Sequence, residues 1–203
     1  MTENQMYNLV GPYRRATLSD AAALAQFVNI AGEGMPLYLW SKMAEQSGES
    51  AWDIGKQRAR RESGGFSYRN SIVRDDAGSV VAGLIGYALP YELDPTRFDD
   101  MPAMFVPLQE LEDRVPGTWY VNVLATVQEH RGKGFGRDLL QIAEKLALEA
   151  GCAGLSLIVA DTNDGARRLY SREGYEEVAE RPMVKDDWDG KGENWVLMRR
   201  SLT

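Results

Sequence analysis

The sequence predicts an α/β protein with a mixed, mostly antiparallel central sheet flanked by helices. Three observations predict it: apolar residues recur at helical spacing in several segments, β-rich segments lie between them, and one buried strand–helix–strand unit occupies the second half. Such a unit forms a parallel crossover, whereas hairpins on either side add antiparallel strands. The 203 residues suit one domain, so residues 1–203 are expected to form a single one.

The first half is predicted to contain one strand, three helices and a hairpin. The first helix is the clearest, because its apolar residues follow i, i+3, i+4, i+7 spacing. Pro36 suits the first turn of the second helix. The turn Asp75-Asp76-Ala77-Gly78 has the composition of a hairpin connection. The predicted ranges are a strand at 13–16, helices at 20–31, 36–44 and 52–62, and strands at 71–74 and 80–89.

The second half begins with an acidic, proline-rich insertion at about 90–117. Long connections of this kind are typically lids or solvated flaps, and a short helix is expected near 103–114. The remaining elements follow from buried β-branched runs, an amphipathic helix that stops at Gly151, and a final strand pair. They are strands at 118–127 and 155–160, helices at 136–150 and 164–173, and strands at 176–184 and 194–202.

Composition excludes several classes of protein. The net charge of −7 disfavours a nucleic-acid binder, because such domains carry a basic face. One cysteine and one histidine exclude an internal disulfide and the usual structural zinc sites, so no metal is expected. No apolar run is long enough to span a membrane, and the first 15 residues do not resemble a signal peptide, so a cytoplasmic location with no membrane partner is expected.

The most informative segment is the turn from Arg131 to Arg137, which reads RGKGFGR between a buried strand and an amphipathic helix. Glycines allow close approach of the backbone to a ligand, and the amides at a helix N-terminus bind anions, phosphate above all. Arg131, Lys133 and Arg137 add positive charge within an acidic protein. The segment therefore predicts a site for a phosphorylated ligand.

Two common phosphate motifs fit this turn poorly. A P-loop requires Ser or Thr after Gly-Lys, but Lys133 is followed by Gly134. The dinucleotide fingerprint requires GxGxxG, whereas the glycines here read GxGxG and lie far from the N-terminus. The pattern R-x-x-G-x-G, formed by Arg131, Gly134 and Gly136, fits in full.

At these residues the sequence resembles the GNAT family of acyltransferases. The stretch 124–136 is similar to the family's acetyl-CoA motif. About 40 residues later, Asn163, Ala166, Leu169-Tyr170 and Gly174-Tyr175 resemble its N-x-x-A-x-x-L-Y-x-x-x-G-[FY] motif. The resemblance implies a GNAT-like fold with the order β-α-α-β-β-β-α-β-α-β-β, and an N-acetyltransferase that uses acetyl-CoA as co-substrate.

The resemblance also implies how acetyl-CoA is held. The pyrophosphate would lie on the amides of 132–137, and the pantetheine arm would follow the strand at Leu124, Ala125 and Thr126 into a gap before the next strand. Asn163 would bind the amide arm, and Tyr170 would face the thiol. The predicted cofactor-binding residues are Leu124, Ala125, Thr126, Arg131, Gly132, Lys133, Gly134, Phe135, Gly136, Arg137 and Asn163.

The chemistry needs a proton acceptor and a proton donor. A primary amine has a pKa of about 10.4, so releasing the free amine at pH 7 costs about 4.6 kcal/mol. Tyr170 suits the donor role towards the departing thiolate, and a main-chain amide near Val123 or Leu124 could polarise the thioester carbonyl. The position where many relatives of this family carry a glutamate is Asn122, which could order a water. Glu33, with Tyr38, is predicted to line the amine pocket.

Two alternatives stay open: a non-catalytic CoA-binding or sensor module, and a nucleotide-dependent oxidoreductase. Direct attack in a ternary complex, without a covalent intermediate, is the predicted mechanism. The acceptor is a small-molecule amine or a protein amine. A homodimer is one further expectation, through the C-terminal strands or through Trp188 and Trp195, both taken to be exposed.

Overall fold

A computed structural model describes residues 9–202. The residues 1–8, on which the prediction about a signal peptide partly rests, lie outside that range. The helices are α1 (Ala21–Ala31), α2 (Met35–Ser47), α3 (Ala51–Ala59), α4 (Val106–Glu112), α5 (Phe135–Glu149) and α6 (Asp164–Arg172). The strands are β1 (Tyr13–Arg15), β2 (Ser71–Asp76), β3 (Ser79–Ala88), β4 (Trp119–Thr126), β5 (Gly154–Ala160), β6 (Glu176–Pro182) and β7 (Asn194–Ser201).

The strands form one seven-stranded sheet in the order β1-β2-β3-β4-β5-β7-β6. The pair β4–β5 is parallel, and the other neighbouring pairs are antiparallel. The strands β4 and β5 are parallel because α5 connects them. The helix carries the chain back to the edge of the sheet at which β4 begins, so that β5 runs in the same direction. The predicted mixed, mostly antiparallel sheet flanked by helices is therefore confirmed.

Helices cover both faces of this sheet. On one face, Leu139 and Ala143 of α5 pack with Leu155 and Leu157 of β5, and all four are at most 1% exposed. On the other face, α1 places the fully buried Phe27 on the central strands. A strand covered on both sides reads as an almost unbroken apolar run, which is why β4 and β5 were visible in the sequence.

The structure has more helices than the order of elements that the resemblance implied. Besides the expected pair before β2, the chain has α3, which the sequence itself predicted at 52–62, and α4 before β4. The hairpin turn is also tighter than a four-residue connection. Only Ala77 and Gly78 separate β2 from β3, and both have positive φ, of 52° and 90°. Two such residues match the strand twist of a hairpin.

The acidic insertion consists of two parts. Residues 91–100 are almost all exposed, as a solvated flap would be. In contrast, α4 is anchored to the sheet by Leu111, which is fully buried beside Tyr120, Trp195 and Leu197. The insertion thus contributes a packed helix next to the strands that hold the predicted site.

The expectation that Trp188 and Trp195 are exposed was wrong. They are 7% and 4% exposed, and their rings stack with centroids 6.0 Å apart and an interplanar angle of 7°. Burial of these large side chains closes the end of a core cluster beside α4, so they are not available as an interface. A homodimer through the C-terminal strands stays a prediction.

Within residues 9–202, none of the helices has the length and apolar character needed to cross a membrane.

Candidate active site

The site begins where β4 and β5 separate. Their pairing runs from Trp119 opposite Leu155 to Val121 opposite Leu157, although both strands continue for several residues. At this point β4 contains a bulge: Val121 and Val123 pair with consecutive residues of β3, which leaves Asn122 without a partner there. A bulge bends its strand and increases the local twist. The bend accounts for the gap that the resemblance implied.

The gap opens into a cleft of about 1140 Å³. It is bounded by β4 and β5, the turn before α5, the start of α6 and the connection between α1 and α2. The volume slightly exceeds the usual range for small-molecule sites, which is about 300–1,000 Å³, so a long ligand fits. Ten of the eleven predicted cofactor-binding residues line it: Leu124, Ala125, Thr126, Arg131, Gly132, Gly134, Phe135, Gly136, Arg137 and Asn163.

Unpaired backbone amides line one end of the cleft. Within the described chain, no group accepts a hydrogen bond from the amides of residues 132–137, whereas the amide of Asp138 donates to the carbonyl of Gly134 at 3.1 Å. The first amides of any helix lack a partner inside it, and here no side chain caps them. With the partial positive charge of the helix terminus, these amides make an anion site.

The three glycines of this turn serve two purposes. Gly132 and Gly134 have φ of 76° and 87°, and a Cβ added at either would meet nothing within 4 Å. They therefore provide left-handed backbone and leave open space above it. Gly136 instead allows close packing, because its Cβ would lie 3.0 Å from Leu169 Cδ2. The glycine spacing thus shapes the turn and seats α5 against α6.

The exposed edge of β4 offers further backbone groups to the cleft. The amide of Val127 donates to the carbonyl of Val81 on β3 at 3.0 Å. Because backbone groups alternate sides along a strand, Ala125 also faces β3, while Leu124 and Thr126 face the gap. Arg131 Nε reaches the carbonyl of Thr126 at 3.3 Å. Of the two amides proposed to polarise a carbonyl, that of Leu124 has the required direction.

Tyr170 reaches the cleft from α6. Its side chain is 7% exposed and lines the cavity. Burial raises the pKa of Tyr170 well above its ordinary value of 10.0, so the phenol stays protonated at neutral pH. No residue of the described part of the chain hydrogen-bonds its hydroxyl, which leaves that proton available for donation to a ligand.

Asn122 and Glu33 also line the cleft. Asn122 lies in the bulge of β4, half-buried. Glu33 lies in the turn between α1 and α2 with φ of 55°. Its carboxylate accepts a hydrogen bond of 2.9 Å from Asn163 Nδ2, and Asn163 Oδ1 accepts from the amide of Ala166 at 3.2 Å. Asn163 thus caps α6 and ties it to the turn, so its side chain already has protein partners.

Two predicted residues lie away from the cleft lining. Lys133 is exposed, and its Nζ lies 3.4 Å from His130 Nδ1. Tyr38 donates a hydrogen bond of 2.8 Å to Asp186, which joins α2 to the connection between β6 and β7. Their side chains stabilise loops around the site in this structure. The backbone amide of Lys133 still belongs to the unpaired row.

Sequence reasoning missed other lining residues. The same cleft is lined by Arg172 at the end of α6, by Glu173 directly after it, and by Lys191 in the connection between β6 and β7. Glu173 is 3.4 Å from Arg137, so the two sides of the cleft mouth form an ion pair. The signal for Glu173 was present: Ala166, Tyr170 and Glu173 follow the spacing of one helical face. Lys191 gave no such signal, because its position depends on a long connection.

Comparison with known proteins agrees with this arrangement. The model of the acetyltransferase (GNAT) family matches residues 35–175. Mycothiol acetyltransferase of Corynebacterium jeikeium strain K411 is 36% identical over 74 residues, which are 36% of this chain and 21% of that protein. N-alpha-acetyltransferase MAK3 of Arabidopsis thaliana is 34% identical over 56 residues, 28% of this chain and 30% of that protein. The aligned segments thus span less than a third of either relative.

Solved structures share the fold over nearly the whole chain. A crystal structure of an acetyltransferase has a TM-score of 0.66 at 24% identity, covering 95% of this chain and 100% of that one. An N-acetyltransferase from Staphylococcus aureus Mu50 has a TM-score of 0.62 at 17% identity, covering 94% and 100%. Together with the match to the family model over residues 35–175, the glycine turn, the separated strands and this fold show that the chain belongs to the GNAT acetyltransferase family.

Proposed function

We propose that the chain transfers an acetyl group from acetyl-CoA to an amine by direct attack in a ternary complex. One observation carries the proposal: the unpaired amides of 132–137, the open edge of β4 and the Tyr170 side chain all face one cleft. An anion site at one end and a proton donor further along suit a long phosphorylated thioester. The family assignment supports the same reaction.

The residues present fit acetyl-CoA as co-substrate. The amides of 132–137 would hold its diphosphate, with Arg131 and Arg137 adding charge at the mouth. Leu124 and Thr126 would pair with the amide groups of the pantetheine arm, as a strand partner would. Because Asn163 Nδ2 is bound to Glu33, its proposed contact with the arm requires that bond to be exchanged or shared.

Each of the chain's own residues in the cleft would have a separate role in the acetyl transfer. Acetyl-CoA, when bound, supplies an activated acyl group. The amide of Leu124 would stabilise negative charge on the reacting carbonyl oxygen. Tyr170 would give its proton to the departing sulfur, because burial raises its pKa and keeps the phenol protonated at neutral pH. Asn122 would order a water near the amine, and the exposed carboxylate of Glu33 would attract a cationic acceptor.

The acceptor is proposed only by class, as a small-molecule or a protein amine. The name of one relative refers to mycothiol and that of the other to N-alpha-acetylation, so both kinds of acceptor belong in a test.

We further propose that residues 1–203 form a single domain, supported by one sheet with strands from Tyr13 to Ser201. A cytoplasmic location is proposed on composition alone, because the single cysteine cannot form an internal disulfide.

The test is release of free thiol from acetyl-CoA across a panel of amines. The panel would contain polyamines, amino acids, amino sugars and peptides with free N-termini. We expect turnover with at least one acceptor, accompanied by a mass increase of one acetyl group on that acceptor. Tight acetyl-CoA binding without turnover on any acceptor would instead favour the non-catalytic sensor. Binding of NAD without binding of CoA would favour the oxidoreductase.

A further inference from the structure

Two opposite charges line the cleft away from the glycine turn. Glu33 lies in the turn between α1 and α2, and Lys191 lies in the connection between β6 and β7. In the proposed reaction Glu33 attracts the amine and Lys191 has no part; the following inference rests on that proposed function. Among residues 9–202, no carboxylate lies within ion-pair distance of Lys191, so its charge is available to a ligand.

The backbone on both sides of Lys191 is closely packed. A Cβ added to Gly190 would lie 2.4 Å from Trp188 Cη2, and one added to Gly192 would lie 2.7 Å from Asp161 Oδ1. Both glycines are buried, whereas Lys191 between them is exposed. The connection therefore holds its backbone against the protein and presents the Lys191 side chain to the cleft that it lines.

Asp161 fastens this segment beside the start of α6. Its carboxylate accepts hydrogen bonds from the amide of Glu193 at 3.1 Å and from the amide of Asn194 at 3.0 Å. Hydrogen bonds to an ionised acceptor are among the strong ones. The Asp161 charge thus binds the backbone next to Lys191 and not its ammonium, and it holds Lys191 near Asn163, two positions after Asp161.

Trp188 connects the same segment with Glu33. Its side chain is 7% exposed, and its Nε1 donates to the carbonyl of Glu33 at 3.3 Å. The Glu33 carboxylate accepts from Asn163 Nδ2 at 2.9 Å. Because Trp188 contacts both Glu33 and Gly190, buried and hydrogen-bonded groups hold the elements that carry Glu33 and Lys191 together.

These two charges lie apart from the proposed diphosphate site. The glycine turn meets α6 at Leu169, which lies 3.0 Å from a Cβ added to Gly136, whereas Glu33 meets α6 at its N-cap, Asn163. Six residues separate the two points, about 9 Å along the helix axis. Because the unpaired amides of the turn account for the diphosphate, Lys191 remains for an anion on the other substrate.

We propose that the acceptor is an amine with an anionic group close to it, and that Lys191 determines this specificity. Lys191 binds the anionic group, while Glu33 attracts the ammonium form of the reacting amine. An α-amino acid is the simplest such molecule, since one carbon atom carries both groups, and an amine that bears a phosphate has the same chemistry. Lys191 repels an acceptor with a second positive charge, such as a polyamine.

The test measures kcat and KM for pairs of amines that differ in the anionic group. Several L-amino acids are each paired with the corresponding amide, and O-phosphoethanolamine is paired with ethanolamine. We expect the wild type to prefer the anionic member by at least about tenfold in kcat/KM. A preference within the amino-acid pairs identifies the group as a carboxylate, and one within the other pair identifies it as a phosphate.

Substitution of Lys191 separates specificity from a structural role. In Lys191→Met we expect the preference to disappear, because the KM of the anionic member rises about tenfold while kcat stays within about twofold. In Lys191→Glu the preference should reverse in favour of the uncharged member, since the new carboxylate repels the anion. A merely structural role would change both members of a pair equally.

Lys185→Met is the matched control. Lys185 lies in the same connection, but it pairs with Glu193 at 2.9 Å and does not line the cleft. This variant should keep the wild-type preference. Acetyl-CoA affinity, measured by calorimetry, should stay within about twofold in Lys191→Met. A larger loss of affinity would assign Lys191 to acetyl-CoA and would overturn the inference.

The inference and the proposed function fail in different ways. Equal kcat/KM for both members of every pair, a preference for polyamines, or a preference that survives in Lys191→Met overturns the inference and leaves acetyl transfer intact. If the wild type turns over no amine, the proposed function fails, and calorimetry with CoA-saturated protein still decides the inference. The anionic member should then bind at least about tenfold more tightly in the wild type only, and equal binding of both members overturns it.

Discussion

Gly134 is the residue on which the proposed phosphate site depends most. Its φ of 87° and the open space above it allow the backbone to face a ligand. For Gly134→Val we expect acetyl-CoA to bind at least about tenfold more weakly, because each lost hydrogen bond to a charged group is worth ~1.5–3 kcal/mol. Calorimetry measures this directly.

Gly151→Val is the matched control for that substitution. Gly151 also has a left-handed backbone, with φ of 68° and no atom near an added Cβ, but it lies beyond the other end of α5. The backbone strain is therefore similar, while the cleft is untouched. Equal loss of affinity in both variants would mean that strain, not the anion site, explains the result.

Tyr170 is the second residue whose role can be tested alone. For Tyr170→Phe we expect kcat to fall by about 10²-fold with acetyl-CoA affinity unchanged, since a general acid contributes on that order. Tyr175→Phe is the control, because its ring lies 6.0 Å away and its buried hydroxyl has no partner in the described structure. Similar kcat values in both variants would make the Tyr170 hydroxyl structural.

Among the helices and strands, α6 joins two parts of the site through its cap. Asn163 accepts from the amide of Ala166 and donates to Glu33. For Asn163→Ala we expect a loss of about 1 kcal/mol of stability, the usual cost of removing a cap. For Asn163→Asp the cap is kept, but the added carboxylate repels Glu33.

Hydrogen exchange distinguishes these two variants. In Asn163→Asp the turn between α1 and α2 should exchange faster while α6 stays protected, because only the contact with Glu33 is lost. In Asn163→Ala both segments should exchange faster. Unchanged exchange of the turn in Asn163→Asp would show that its conformation does not depend on this bond.

The strands and helices were largely predictable from sequence because their patterns are local. The β2–β3 hairpin, α1 and the β4–α5–β5 unit each have a periodicity and a turn signal within the segment itself. The role of α4 was not predictable, since its anchoring through Leu111 depends on strands far along the chain. The exposure of Trp188 was misjudged for the same reason. It is buried in a cluster with Met35, which is distant in sequence, and with Trp195, which only the fold brings against it.

The candidate site divides in the same way. The amides of 132–137 and Tyr170 were found because motifs with fixed spacing carry them. The bulge at Asn122 and the burial that raises the pKa of Glu112 were not found, because strand register and packing create them. Neither residue stands in a local pattern that distinguishes it from an ordinary strand or helix position.

At the scale of the whole molecule, Glu112 links stability to pH. The folded protein holds the Glu112 proton up to about pH 7, whereas the unfolded chain releases it at about 4.5. The protonated carboxyl stabilises the folded protein. This contribution to the free energy of unfolding is complete below the pKa of the unfolded chain and is lost as pH rises through the pKa of the folded protein. The difference corresponds to about 3 kcal/mol.

Glu112→Gln removes this titration. We expect the free energy of unfolding of the variant, relative to the wild type, to increase by about 3 kcal/mol between pH 4 and pH 8.5. Denaturant titrations at the two pH values measure it without any substrate. Glu110→Gln should change by less than about 1 kcal/mol, because its ion pair with Arg181 is half-exposed. A constant difference between Glu112→Gln and wild type would contradict a raised pKa.

The proposed acetyl transfer depends most directly on one contact, in which the amides before α5 bind the diphosphate of acetyl-CoA. A ¹H–¹⁵N correlation titration with acetyl-CoA measures this amide by amide. We predict large shifts for residues 132–137 and for Leu124 and Thr126, with much smaller shifts at 132–137 when acetyl-pantetheine, which lacks the diphosphate, is added instead. Saturation with acetyl-CoA that leaves the amides of 132–137 unshifted would contradict the account.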